Sequence, residues 1–98
     1  VAFVRHLTLT ANVVSTVTLT AADNFSTFEV LNRNGLGEVY ISHDGTANPT
    51  NPTVGGNDFD VVVAAIGAAL QLRRIGTGTA TIDLISPANV DVTVRGIA

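Results

Sequence analysis

Two histidines, four serines and a group of aspartates are the side chains in this 98-residue sequence whose types suit catalysis or metal binding. The densest grouping lies in "YISHDGTANPTNPTVGGNDFD", Tyr40 to Asp60, where His43, Asp44, Asp58 and Asp60 share one polar stretch. Carboxylates collected on a loop suit a hard cation such as calcium. The ordered D-x-[DN]-x-[DN]-G spacing of a calcium loop is absent, however. Asp44 followed by Gly45 reads as an Asp-Gly turn, and Asp58 and Asp60 flank Phe59 as wet neighbours of an inward ring. "VGGND" has the glycines of a phosphate loop but neither its lysine nor a following helix. A hydrolase triad would have to pair His6 or His43 with Ser15, Ser26, Ser42 or Ser86. None of these serines stands in a G-x-S-x-G elbow, and His6 falls on the threonine side of its strand as a surface imidazole. The expectation is therefore no catalytic residue, no metal, no cofactor and no enzyme. Sugar binding by ring stacking would rest on Tyr40, the one candidate surface ring, because the four phenylalanines are needed for a core.

The elements that would position these residues are strands. Valine and threonine dominate, both β-branched and suited to pleated surfaces. Leu7 and Leu9 alternate with His6, Thr8 and Thr10; Val13, Val17 and Leu19 alternate with Thr16, Thr18 and Thr20. "TFEVLNR" (27–33) and "EVYIS" (38–42) flank "NGLG", whose Asn34 and Gly35 accept the positive φ of a tight turn, which predicts a hairpin. Strands are predicted over 59–63 and around 70–74. "AAIGAAL" is the only stretch with helical character, weakened by about 1 kcal/mol by Gly67. In "TATIDLIS" the residues Ala80, Ile82 and Leu84 oppose Thr79, Thr81 and Asp83, and in "NVDVTVRGI" Val90, Val92 and Val94 oppose Asp91, Thr93 and Arg95. "SPAN" joins the two with a proline that no central strand accommodates. Seven to eight short strands with regular turn signals predict a single-domain, all-β antiparallel β-sandwich over residues 1–98, jelly-roll-like or immunoglobulin-like.

Composition bounds the partners. With 46% apolar and only 13% charged residues, a thin single-domain core leaves apolar surface over, which marks an assembly protein. The net charge of −3 argues against nucleic acid, whose binding needs a basic face. "VVVAAIGAAL", the longest run without a charged or strongly polar residue, falls short of the ~18–20 residues that span a bilayer, and "VAFVRHLTLT" does not read as a secretory leader, so no membrane partner is expected. Cysteine and lysine are both absent, which excludes disulfides, thiolate zinc, Schiff-base chemistry and lysine-based isopeptide cross-links.

"FEVLNRNGLGEVYISHDGTANPTNPTVGGNDFDVVVAAIGAALQLRR" followed by "TIDLISPANVDVTVRGI" resembles a family of small structural proteins of tailed bacteriophages, over roughly Leu7 to Ile97. Its motifs are structural: a short valine-rich first hairpin, a "VEVLN"-type strand, a "DGT…PT" loop and a closing "LIS…VTVRG" strand pair. The resemblance implies a virion protein on the outer surface of the capsid, a decoration or minor capsid protein that binds the major capsid protein and, as a homo-oligomer, sibling copies. An all-arginine basic set accords with a phage of a GC-rich, actinobacterial-type host. The loop departs from the pattern in being extended to "TANPTNPT". "YISHDGTANPT" is also similar to a strand-and-loop motif of small β-sandwich modules appended to glycoside hydrolases, which keeps a carbohydrate- or host-surface-binding module as one alternative and a minor tail or head–tail joining protein as another. Proline and Asp-Gly turns stiffen the loop for docking, so the expected contacts are Tyr40, His43, Asp44, Asn48, Pro49, Asn51 and Pro52, together with the Arg73–Arg74 pair.

Overall fold

The computed structural model describes residues 3–20, 22–23, 25–43, 52–57, 59–74 and 79–97. Asp44, Asn48, Pro49, Asn51 and Asp58 lie outside the described residues. Eight strands are present: β1 (Val4–Leu9), β2 (Ser15–Leu19), β3 (Thr27–Asn32), β4 (Val39–Ser42), β5 (Asp60–Val62), β6 (Ala69–Arg73), β7 (Ala80–Ile85) and β8 (Val90–Ile97). They form two four-stranded antiparallel sheets, ordered β1-β8-β3-β6 and β2-β7-β4-β5.

The pairing is nested. β1 pairs with β8, β2 with β7, β3 with β6 and β4 with β5, while β3·β8 and β4·β7 complete the sheets. This is one long hairpin, four strands out and four back, rolled until its halves face each other. Such nesting is the topology of a jelly roll and differs from the immunoglobulin order. The radius of gyration, 12.2 Å, agrees with the ~13 Å of a single compact domain of about this length.

Alternation places the core as the sequence predicts. Ile82 and Leu84 of β7 and Val90, Val92 and Val94 of β8 are buried between the sheets, against Val17, Leu19, Phe28, Val30, Val39 and Ile41. Each such side chain contributes about 1.5–3 kcal/mol on full burial. On the outer faces threonines bond across strands to carboxylates: Thr8 Oγ1 donates to Asp91 Oδ1 (2.8 Å) and Thr16 Oγ1 to Asp83 Oδ1 (2.6 Å).

Two expectations are corrected. "NGLG" turns sharply, with Gly35 at φ 69°, but no hairpin results: β3 and β4 belong to different sheets. The turn is anchored across the sandwich instead of along a ladder, since Gly37 packs under Ser86, Ala88 and Val90. "AAIGAAL" contains no helix. Residues 64–67 form a turn, with Ala65 N–H donating to Val63 O (2.9 Å) and Gly67 at φ 81°, and Ala69 begins β6.

Candidate docking surface

Several of the expected contact residues are interior. His43 continues the inward phase of Val39 and Ile41 and is only 6% exposed. Its Nε2 lies 3.0 Å from Asp60 Oδ2, and its ring meets Phe28 edge-on at 5.3 Å. The pair has the base and acid of a triad; Ser42, buried at the end of β4, precedes His43 on the opposite strand phase, and the other three serines are dispersed. Ser15 lies on β2, Ser26 precedes β3, and fully buried Ser86 caps the β7–β8 turn by accepting from Ala88 N–H at 3.3 Å. His6 is exposed as expected, with Nδ1 2.8 Å from Thr93 Oγ1. Among the described residues, no three His, Asp or Glu side chains gather as metal ligands.

Tyr40 is not a surface ring. It faces outward from β4 in an apolar row between Ile85 of β7 and Val61 of β5, and is only 8% exposed. Its hydroxyl donates to Glu38 Oε1 at 3.5 Å. Pro52 is buried as well. The two adjacent arginines separate. Arg73 is exposed on β6, whereas Arg74 is buried, its guanidinium donating to the carbonyls of Thr20 (2.9 Å) and Asp23 and lying 5.0 Å from the Phe25 ring centre. Arg74 therefore ties the β2–β3 connection to the sandwich. Tyr40, His43, Pro52 and Arg74 are thus buried, and of the described candidates Arg73 alone is exposed.

The exposed apolar residues concentrate elsewhere. Nested pairing brings the β1–β2, β3–β4, β5–β6 and β7–β8 connections to one end of the sandwich, and they touch in sequence. Asn12 N–H donates to Ser86 O (2.8 Å) and Ala11 N–H to Asn89 Oδ1 (2.8 Å), joining the first connection to the last. Gly37 abuts the last, and the backbone of Gly35 lies against that of Ala65 and Ile66. From this end project Val13, Leu36, Val63 and Ile66, with exposures of 52%, 67%, 61% and 80%.

Asn32 holds these loops in place. The last residue of β3, it is fully buried; its Nδ2 donates to Gly37 O (3.0 Å) and Val63 O (3.1 Å), and its Oδ1 accepts from Gly35 N–H (2.8 Å). Its main chain adds Asn32 N–H to Ala68 O and Gly67 N–H to Asn32 O, both 2.8 Å. One side chain thus fixes the β3–β4 turn against the β5–β6 turn. The only charged residues in the four connections are Arg33 and Glu38. The result is an ordered, nearly uncharged tip whose large side chains meet water.

Sequence reasoning passed over this end. The available signal was Leu36 between two glycines and Ile66 before Gly67: large apolar side chains at turn positions, where no strand phase buries them. Comparison with known proteins finds no matching family model, no matching curated protein and no matching solved structure.

Proposed function

We propose that this chain is a non-enzymatic virion protein of a tailed phage, a decoration or minor capsid protein that seats its apolar loop end on the outer surface of the head shell and reinforces it. The observation that carries the reading is the tip itself. Leu36, Val63 and Ile66 are presented to water on turns that Asn32 already holds, so docking orders little further chain. Exposed apolar side chains grouped on an otherwise ordered surface mark an interaction site. The phage assignment is supported by the sequence resemblance over Leu7 to Ile97; the adhesive role is supported by the tip. A repeating shell offers many copies at once, so each contact can be modest.

The test is a binding and rupture experiment on head shells lacking the protein. Purified protein is expected to bind them saturably, to raise the temperature at which they rupture, and to keep binding in moderate salt, because the tip is nearly uncharged. Shells that rupture at the same temperature with and without the protein, and that fail to retain it at any salt, would overturn the proposal.

A further inference from the structure

We propose that the open edge of β1 is a self-pairing edge, by which two copies of this chain join their β1 strands antiparallel about a twofold axis through Leu7. This contact is separate from the loop end, and its argument does not depend on the phage reading.

The geometry follows from the ladder. Gly96 N–H donates to Phe3 O (2.8 Å), so Phe3, Arg5, Leu7 and Leu9 exchange main-chain bonds with β8. Arg33 N–H donates to Asp91 O (2.9 Å), which confirms the alternation: Asp91, Thr93 and Arg95 turn their main chain to β3. Val4, His6 and Thr8 must then point their N–H and C=O groups away from β8, toward the open side of sheet β1-β8-β3-β6. Two of the carbonyls on that side are already engaged. Val4 O accepts from Arg5 Nη1 (3.1 Å), and Thr10 O accepts from Val13 N–H (3.0 Å). The free window is therefore His6 and Thr8, centred on Leu7 and closed symmetrically at positions 4 and 10.

A window of that shape complements itself. With two β1 strands antiparallel about Leu7, His6 of one copy lies opposite Thr8 of the other, and each pair exchanges an N–H and a C=O, giving four bonds that use every main-chain group of His6 and Thr8. No like charges meet. Arg5 falls opposite Leu9 of the second copy, and the two Arg5 side chains are four residues apart along the joint, about 13 Å, beyond the Debye length. The edge carries one charged side chain, Arg5, but no proline, lysine or bulge interrupts Val4–Leu9. A groove of about 610 Å³ runs along the same seam, lined by Arg5, His6 and Leu7 of β1 and Ser15–Thr18 of β2, and leaves room beside the strand for the second copy.

The absence of cysteine makes the test direct. On the proposed axis the two Leu7 residues form a non-bonded pair with Cα atoms about 4.5 Å apart, inside the range a disulfide spans. Leu7→Cys is expected to form a covalent dimer under mild oxidation, whereas Thr18→Cys, on the neighbouring edge β2, remains monomeric. Sedimentation equilibrium of the wild type up to about 1 mM should show reversible dimers, weakened at least about tenfold by Thr8→Pro. That substitution removes an N–H that β8 does not use, together with the Thr8–Asp91 side-chain bond, so the melting temperature of the monomer is the control for folding. A wild type monomeric at the highest concentration, with Leu7→Cys no faster to cross-link than Thr18→Cys, would overturn the proposal. So would dimers that survive Thr8→Pro but vanish in Leu36→Asp, which would place self-association at the loop end.

Discussion

Replacing Asn32 by alanine removes three hydrogen bonds at once. The carbonyl of Gly37, in a buried bond, loses its donor, and an unsatisfied buried carbonyl costs about 1–3 kcal/mol. The bonds to Val63 O and from Gly35 N–H are partly buried, so water replaces them in part, at about 0.5–1.5 kcal/mol each. The expected loss is ~3 kcal/mol out of the ~5–15 kcal/mol that holds a domain of this size. Urea unfolding followed by far-ultraviolet circular dichroism should show the midpoint falling by about 2–3 M, at a slope near 1 kcal/mol per M. Thermal melting should fall by roughly 12–24 °C. Asn32→Asp is a sharper probe. It keeps the acceptor for Gly35 N–H but turns a carboxylate toward the carbonyls of Gly37 and Val63, and should destabilise at least as much as alanine. Amide exchange at Gly35 should accelerate before exchange in β7 or β8. A loss below about 1 kcal/mol for both variants would refute the claim that Asn32 secures the loop end.

Two further pairs of substitutions separate causes that the sequence makes look alike. Gly35 and Gly67 both have positive φ (69° and 81°), but an added Cβ at Gly35 would stand 2.6 Å from Ile66 N, while at Gly67 it meets nothing within 4 Å. Gly67→Ala should therefore cost only the left-handed strain, about 1–2 kcal/mol, and Gly35→Ala clearly more, measured by the same denaturation. Arg74→Ala should cost about 2–4 kcal/mol by removing charge-assisted bonds to the Thr20 and Asp23 carbonyls, whereas Arg73→Ala should stay within about 0.5 kcal/mol of the parent. Equal effects of the two arginines would contradict the burial assigned to Arg74.

The strands and their inward faces were legible because period two survives in the sequence wherever one face is dry. Ile82, Leu84, Val90, Val92 and Val94 show it directly. Pairing was not legible, since alternation is the same whichever strand lies alongside: the residues flanking "NGLG" fit a hairpin as well as the crossing between sheets that occurs. Tyr40 illustrates the same limit. Its phase puts it outward, and only the register that flanks it with Ile85 and Val61 reveals the apolar row that covers it. Other errors had a readable remedy. Arg74 shares the phase of Leu70 and Leu72, and His43 that of Val39 and Ile41, so period two already pointed both inward. Asn32 shares the phase of Phe28 and Val30; its partners Gly35 and Gly37 are local, but the third, Val63 O, comes from the distant β5–β6 connection that no local pattern announces.

The central claim, that the apolar loop end is the docking surface, is tested most directly by comparing the wild type with a Leu36→Asp, Ile66→Asp double variant in binding to head shells that lack the protein. Both side chains are mostly exposed, at 67% and 80%, so the variant should fold and melt as the parent does. Burying the two chains contributes about 1.5–2 kcal/mol each, and two aspartates at the contact add a desolvation cost, so affinity should fall at least about 100-fold. A double variant that binds the shells as tightly as the parent would contradict the account.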